Sequence, residues 1–208
     1  MEQTAFRIIN IGALSVNKFW GEAERCHQTT ATCTLLERDG QRLLVDPSPH
    51  PPELEGFLWD RAGLRPEEVD MVYVTHFHGD HHWGAELFPD RPWLMSRAGL
   101  EEWRERNPEQ AGDADRFTVA EGNLPEGIAL YPCPGHTWSH CGLLTETQWG
   151  ALIVAGDAVM TPEHFEAEEG HTNAVDFALS TETIQRIKAD ADLVIPGHAN
   201  LILNLRGG

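Results

Sequence analysis

One eight-residue segment constrains this chain more than any other feature of its sequence. The segment THFHGDHH, residues 75–82, places four histidines and one aspartate within seven consecutive positions. Such a density of ionisable side chains has no packing explanation, because the positions of a protein core are mostly apolar. Neutral imidazoles and carboxylates are good ligands for divalent cations such as zinc. The segment therefore predicts a metal-binding loop, in which Gly79 supplies the backbone freedom of a tight turn.

The loop offers its candidate ligands in two sets. His76 and His78 can point in one direction, while Asp80 and His81 turn to an adjacent position. This geometry suits two neighbouring metal ions better than one. His82 follows the pattern, and we expect it to be solvated or to support a ligand rather than to bind metal.

Three further candidate ligands lie far from the loop in sequence. His136 lies in PGHTWSH, Asp157 in AGDA and His198 in PGHA. Two of them follow Pro-Gly, which forces a turn and can present a side chain from a loop. His76, Asp157 and His198 also follow apolar runs of strand composition. Strand ends that open into loops commonly carry functional side chains, so we expect these residues to converge.

Short β-type runs alternate with helical patterns along the chain, which predicts a mixed α/β fold. The predicted strands are 6–12, 29–37, 42–46, 71–76, 151–157 and 192–196. Asp-Gly between the second and third of these runs predicts a β-hairpin over 29–46. The predicted helices are 52–62, 96–106 with Ser96 as N-cap, and 180–190 with Ser180 at its start. The four cysteines form no CxxC pair, so we expect small residues in or near the core rather than a disulfide framework.

In this order the motifs resemble those of the metallo-β-lactamase superfamily. The first four ligands match its HxHxDH motif, and Asp46 matches an aspartate that ends an early strand in that family. The matching positions, in chain order, are Asp46, His76, His78, Asp80, His81, His136, Asp157 and His198. The resemblance runs from about residue 29 to residue 200. It implies an αββα sandwich with the site at one edge, and we expect residues 1–208 to form a single domain of this kind.

The resemblance also implies a role for each matching residue. The first metal would be bound by His76, His78 and His136, and the second by Asp80, His81 and His198. Asp157 would bridge both metals, and Asp46 would accept a hydrogen bond from a ligand histidine and fix its tautomer. Two zinc ions are expected from the nitrogen and oxygen ligands, with iron or manganese as the alternatives. The pattern is similar to that of glyoxalase II and the lactonases, and differs from that of secreted β-lactamases with a cysteine ligand.

The expected activity is hydrolysis of a small ester, thioester or lactone by a metal-bridging hydroxide. Asp80 is the predicted catalytic residue, because it can orient the nucleophile and help to move its proton. Met160 stands where the lactonases carry a tyrosine, which argues against acyl-homoserine lactones as substrates. Two alternatives stay open, namely a phosphodiesterase and a mononuclear iron dioxygenase that acts on a persulfide.

The charge of the chain bears on its partners. Its 15 basic and 33 acidic residues give a formal net charge of −18, which disfavours nucleic acid and anionic membranes. We therefore expect a small-molecule substrate, and the absence of a secretion signal predicts a cytoplasmic protein. The sequence leaves open the oligomeric state and the role of the acidic loop 161–171, which includes His164 and His171.

Overall fold

Two β-sheets form the centre of the computed structural model, which describes residues 3–204. The strands of the first sheet are β1 (Ala5–Asn10), β2 (Cys33–Arg38), β3 (Gln41–Val45), β4 (Met71–Tyr73), β5 (Trp93–Met95) and β6 (Phe117–Val119). The strands of the second sheet are β7 (Ile128–Pro132), β8 (Cys141–Thr147), β9 (Gly150–Gly156), β10 (Leu193–Pro196) and β11 (Ile202–Leu203). The first sheet has the order β1-β2-β3-β4-β5-β6, and the second has the order β11-β10-β9-β8-β7.

The pairing of neighbouring strands changes once within the first sheet, from antiparallel to parallel. Strands β1, β2 and β3 are antiparallel neighbours, whereas β3, β4, β5 and β6 run parallel. In the second sheet β9 and β10 are parallel and the other pairs are antiparallel. The predicted hairpin is confirmed, since β2 and β3 are joined at Asp39 and Gly40, with φ angles of 50° and 76°. Positive φ at both turn positions is the reason that Asp-Gly favours this connection.

The α-helices cover the outer faces of the two sheets. They are α1 (Pro51–Ala62), α2 (Arg97–Arg106), α3 (Ala111–Ala114), α4 (Pro162–Ala167) and α5 (Phe177–Asp190). Short 3-10 helices occupy Lys18–Trp20, Pro66–Glu68, Gly79–His81, Ala85–Leu87 and Pro108–Gln110. Buried side chains of α1 and α2, such as Leu58 and Trp103, pack on the first sheet. Phe165 of α4 and Ile184 of α5 pack on the second sheet.

A core shared by the two sheets lies between them. Leu43 and Tyr73 of the first sheet pack against Leu143, Val154 and Ile195 of the second. All five are less than a tenth exposed, so this layer excludes water and holds the sheets together through apolar burial. The resulting order of layers is helix, sheet, sheet, helix. The predicted αββα sandwich is therefore confirmed.

Some predicted boundaries were wrong. Helix α2 does begin after Ser96, whose Oγ accepts a hydrogen bond from Gly99 N at 3.1 Å. Helix α5 begins three residues before the predicted start, because Asp176 caps it by accepting a hydrogen bond from Leu179 N at 3.0 Å. Ser180 is buried within that helix instead. Asp is as strong an N-cap residue as Ser, and Asp176 is the residue that caps this helix.

The cysteines and the helix lengths bear on two further predictions. All four cysteines are free, and Cys26 is exposed, so the core placement is correct for the other three only. No helix among residues 3–204 is both long and apolar enough to cross a membrane. The single domain over 1–208 stays a prediction, and its first two and last four residues lie outside the described part of the chain.

Candidate metal centre

Parallel strands bring the candidate ligands to one edge of the sandwich. Asp46 follows β3 directly and His76 lies three residues beyond the parallel neighbour β4. Asp157 follows β9 directly and His198 lies two residues beyond the parallel neighbour β10. The carboxyl ends of parallel strands lie at the same edge of a sheet, which explains why these residues meet. The predicted convergence at strand ends is therefore confirmed.

A first group of four side chains offers four donor atoms within 4.8 Å of one another. The group consists of His76, His78, His136 and Asp157. Nδ1 of His78 lies 2.9 Å from Nε2 of both His76 and His136. Oδ2 of Asp157 lies 3.2 Å from Nε2 of His136 and 3.8 Å from Nε2 of His76. Three nitrogens and one oxygen thus surround one point.

A second group lies on the other side of Asp157. It consists of Asp80, His81 and His198, whose donor atoms also lie within 4.8 Å of one another. Oδ1 of Asp157 lies 3.1 Å from Nε2 of His81 and 3.0 Å from Nε2 of His198. Oδ2 of Asp80 lies 3.7 Å from Nε2 of His198. Asp157 therefore directs one carboxylate oxygen toward each group.

Hydrogen bonds behind the imidazoles fix which ring nitrogen faces each group. Nδ1 of His81 donates to Asp46 Oδ2 at 2.9 Å, and Nδ1 of His198 donates to the Thr30 carbonyl at 2.9 Å. Nδ1 of His76 lies 3.1 Å from Thr75 Oγ1, whose own hydrogen is donated to Asp46 Oδ2 at 2.9 Å. His76 must therefore donate from Nδ1. All three rings direct the lone pair of Nε2 inward.

The buried acceptor atoms of the two groups indicate that the site is suited to bind cations. Nε2 of His81 and Oδ1 of Asp157 are both buried without a hydrogen-bond partner among the described residues. Two lone pairs at 3.1 Å repel each other unless a proton or a metal cation lies between them. Oxygen and imidazole nitrogen are donors that zinc accepts in proteins. The donor set is therefore suited to a divalent cation in each group.

Burial and neighbouring charges shift the pKa values of the site residues in opposite directions. Burial lowers the pKa of His136 to about 3 and the pKa of His76 well below its ordinary value. Burial also disfavours charge on Asp157, but His198, His81 and His136 outweigh it and hold the pKa of Asp157 well below its ordinary value. For His81, burial lowers the pKa, but the carboxylates of Asp157 and Asp46 outweigh it and raise the pKa. The carboxylates of Asp157 and Asp46 thus favour positive charge at the centre of the site.

Two glycines allow the loops to pass close to other parts of the site. A Cβ at Gly197 would lie 2.0 Å from Asp157 Oδ1. Gly135 has a φ of 130°, and a Cβ there would lie 2.4 Å from the backbone of Ser180. The Pro-Gly pairs before His136 and His198 are thus explained by close approach as well as by turn formation.

A cavity of about 470 Å³ opens onto both groups. His78, Asp80, Asp157 and His198 form its floor. One wall comes from Met160 and residues 171–173. The other comes from the segment 14–29, which contributes Leu14, Ser15, Val16, Lys18, Arg25 and Thr29. A second cavity of about 290 Å³ also reaches His198 and is lined mainly by apolar side chains, among them Ile11 and Trp20. A small molecule at the metal centre would contact these walls.

Comparison with known proteins agrees with this geometry. The sequence model of the metallo-beta-lactamase superfamily matches residues 28–198. The chain belongs to this superfamily. An N-acyl homoserine lactonase of Bacillus cereus is 31% identical over 134 residues, which are 62% of this chain and 53% of the lactonase. Metallo-beta-lactamase domain-containing protein 1 of Xenopus laevis is 31% identical over 139 residues, 65% of this chain and 56% of that protein. The chain thus spans about half the length of the curated relatives it matches.

Solved structures share the superfamily fold with this chain. A Thermotoga maritima protein described as a metallo-beta-lactamase has a TM-score of 0.72 at 17% identity, with coverage of 97% of this chain and 99% of that one. A dizinc quorum-quenching lactonase in complex with a product has a TM-score of 0.67 at 14% identity, with coverage of 95% and 92%. At these identities the likeness concerns the fold.

The superfamily motifs did not point to every residue that shapes the site. Glu102 of α2 is 7% exposed and accepts hydrogen bonds from Trp138 N at 3.1 Å and from Ser139 N at 2.7 Å. It also accepts one from Ser139 Oγ and pairs with Arg106. Glu102 thus holds the loop that follows His136. Nothing in the sequence indicates this contact, because a glutamate in a helix is usually an exposed surface residue.

His140 is a second residue that shapes the site without belonging to the superfamily motifs. Its buried ring lies 4.7 Å from the ring of His76, and its Nδ1 lies 3.2 Å from Cys133 Sγ. It supports the first group from behind. His82 lies outside both groups, with its ring 5.1 Å from that of Trp103.

The acidic loop 161–171 lies beside the cavity, and three of its four carboxylates have a partner. Glu163 accepts a hydrogen bond from Trp20 Nε1 at 2.7 Å, Glu168 pairs with Lys188 at 2.8 Å, and Glu169 pairs with Lys18 at 2.5 Å. Burial, with further contributions from His171 and Lys18, lowers the pKa of His164 to about 4, and its ring packs against Phe19.

Proposed function

We propose that this protein is a metal-dependent hydrolase with a dinuclear site, acting on a small ester, thioester or lactone. The carboxylate of Asp157 carries the proposal, because its two oxygens face two separate groups of buried imidazoles. A carboxylate in that position is suited to bridge two cations. The buried, mutually repelling acceptors around it support the same interpretation.

The proposed ligands follow from the two groups. One cation would be held by His76, His78, His136 and Asp157, and the other by Asp80, His81, His198 and Asp157. Zinc is the proposed metal, because the donors are nitrogen and oxygen and each cation would have four of them. Bound there, two divalent cations would lower the pKa of a bridging water and polarise a substrate carbonyl.

Asp80 is the proposed catalytic side chain. It is partly exposed, and it belongs both to the second group and to the floor of the cavity of 470 Å³. A carboxylate there can orient an attacking water and accept its proton while the substrate lies above it. Asp46, buried behind His81, would act only through the orientation of that histidine.

The relatives support carbonyl hydrolysis without fixing the substrate. Several are named N-acyl homoserine lactonases, and a lactone is a cyclic ester. Met160 lies in the wall of the cavity, where the resemblance to the lactonases would place a tyrosine. We therefore propose a different ester or lactone as the substrate, and we propose the cytoplasm as its location on the sequence alone.

Metal content tests the proposal first. Protein purified without chelators should contain about two zinc ions per chain by elemental mass spectrometry, and should hydrolyse members of an ester, thioester and lactone panel. His198→Ala should lose at least one zinc per chain, whereas the exposed His27→Ala should retain both. One iron per chain with little zinc would contradict the proposal and favour the persulfide dioxygenase. Two metals with activity on phosphodiesters alone would favour the phosphodiesterase.

A further inference from the structure

Positive charge is scarce in this protein, and most of it is already engaged. Only 15 basic residues stand against 33 acidic ones. Most described arginines form ion pairs, donate to backbone carbonyls or lie over aromatic rings. Such contacts are made by Arg7, Arg38, Arg42, Arg61, Arg65, Arg91, Arg104, Arg106, Arg116 and Arg186. A guanidinium without a partner is therefore unusual in this chain.

Arg25 is such a guanidinium, and it lines the cavity above the metal groups. Its side chain forms no hydrogen bond, ion pair or ring contact with any of the residues 3–204. Lys18, the other cation of this cavity, is paired with Glu169 at 2.5 Å. The uncompensated positive charge of the cavity walls thus belongs to Arg25.

The backbone holds Arg25 in place. Its neighbour Cys26 donates a backbone hydrogen bond to the Ser15 carbonyl at 2.8 Å, which closes the loop on the cavity wall. Glu22 accepts from Asn17 N at 2.7 Å and lies 3.0 Å from Nε2 of His27, so the loop is also braced from within. Arg25 therefore projects from a fixed loop rather than from a free one.

We propose that Arg25 binds a carboxylate of the substrate, so that the substrate is an ester, thioester or lactone that bears one negative charge. The proposal rests on the hydrolase function proposed above. A planar guanidinium binds a carboxylate through two parallel hydrogen bonds, which also orients the substrate. A phosphate monoester would carry nearly two charges into the field of a chain with a net charge of −18, so one cation matches a carboxylate better.

A pair of esters isolates the contribution of the carboxylate. Mono-4-nitrophenyl succinate has a terminal carboxylate where 4-nitrophenyl butyrate has a methyl group, and the two esters are otherwise the same. We expect Arg25→Gln to lower kcat/KM of the zinc-loaded enzyme about tenfold for the succinate and less than about twofold for the butyrate. Arg97→Gln is the matched control, because Arg97 is exposed, its side chain is likewise unpaired among the described residues, and it lies outside the cavity. It should change both values less than about twofold.

Binding of the free acids tests Arg25 independently of catalysis. Isothermal titration should show that the zinc-loaded protein binds succinate about tenfold more tightly than butyrate, because one carboxylate reaches the metals and the other reaches Arg25. Arg25→Gln should abolish this preference, and Arg97→Gln should retain it. If no member of the ester, thioester and lactone panel is hydrolysed but the preference is lost in Arg25→Gln, the hydrolase assignment fails while the anion site stands. An equal preference in wild type and Arg25→Gln, or no preference in wild type, overturns the proposal.

Discussion

Asp46 Oδ2 accepts a hydrogen bond from Nδ1 of His81 at 2.9 Å, across the edge where β3 and β4 end. The same carboxylate accepts from Thr75 N at 2.8 Å and from Thr75 Oγ1 at 2.9 Å. Its backbone φ is +49°, a region that aspartate tolerates better than most residues. One buried side chain thus orients His81 directly and His76 through Thr75.

Asp46→Asn should weaken metal binding about 10- to 100-fold, because the amide oxygen cannot accept all three hydrogen bonds and its NH₂ would oppose a donor. Competition with a fluorescent zinc chelator measures the effect. Asp60→Asn, which removes an equal charge from the exposed face of α1, should leave the affinity unchanged. Equal affinities in wild type and Asp46→Asn would contradict the role assigned to this carboxylate.

Asp80→Asn should lower kcat/KM for any hydrolysed ester by about 100-fold or more, with the metal content at or near two per chain. The amide can still ligate weakly through oxygen but cannot accept a proton. Activity and metals per chain must be measured on the same sample, so that a loss of metal is not mistaken for a loss of catalysis. Asp90→Asn, at an exposed turn beyond the metal loop, is the control. Full activity with full metal content in Asp80→Asn would exclude the proposed proton transfer.

Glu102→Gln should release the loop that follows His136. The variant retains the side-chain shape, but one end of its amide becomes a donor that faces the backbone donors of Trp138 and Ser139. We expect the free energy of unfolding to fall by about 1–3 kcal/mol, the cost of an unsatisfied buried group. Metal affinity should fall with it, because His136 precedes the loop. Glu101→Gln, one residue earlier and exposed, should do neither. Chemical denaturation and chelator competition test both effects, and a variant that behaves like Glu101→Gln would refute the assignment.

The metal-free protein should lose stability as the pH falls below about 6.5. Burial dominates in lowering the pKa of six histidines, which are His76, His78, His82, His136, His140 and His164. Two others, His81 and His198, have raised pKa values because carboxylates outweigh burial, and their effect has the opposite sign. The unfolded chain therefore binds more protons than the folded one as pH drops. A net difference of one proton corresponds to about 1.4 kcal/mol per pH unit.

Denaturation of chelator-treated protein at pH 7 and pH 5 measures this dependence. The free energy of unfolding should be lower at pH 5, and it should be recovered when the pH is returned to 7. Zinc-loaded protein should be more stable than metal-free protein at pH 7, since only the folded state presents the assembled site. A metal-free protein that is equally stable at both pH values would show that the histidines are not buried as neutral groups.

The candidate metal ligands could be predicted from the sequence because most of them lie in short, recognisable motifs. Four of the ligands lie within residues 76–81, and the others follow Pro-Gly or end an apolar strand. Few arrangements other than a metal site explain such residues, so the candidate ligands could be named before their positions were known. The hairpin and the alternation of strands and helices were likewise readable, because turn chemistry and hydrophobic period are local properties.

Contacts between distant segments were decided by the tertiary structure alone. Glu102 and Ser139 are 37 residues apart, and their hydrogen bond exists only because α2 packs beside the loop after His136. The three-residue strands β5 and β6 are too short to show a period, and they form because parallel neighbours supply their hydrogen bonds. Arg25 reads as one charge among many in the sequence. It becomes distinctive only because the folded chain places it in the wall of the cavity that opens onto the metal groups and leaves its charge without a partner among the described residues.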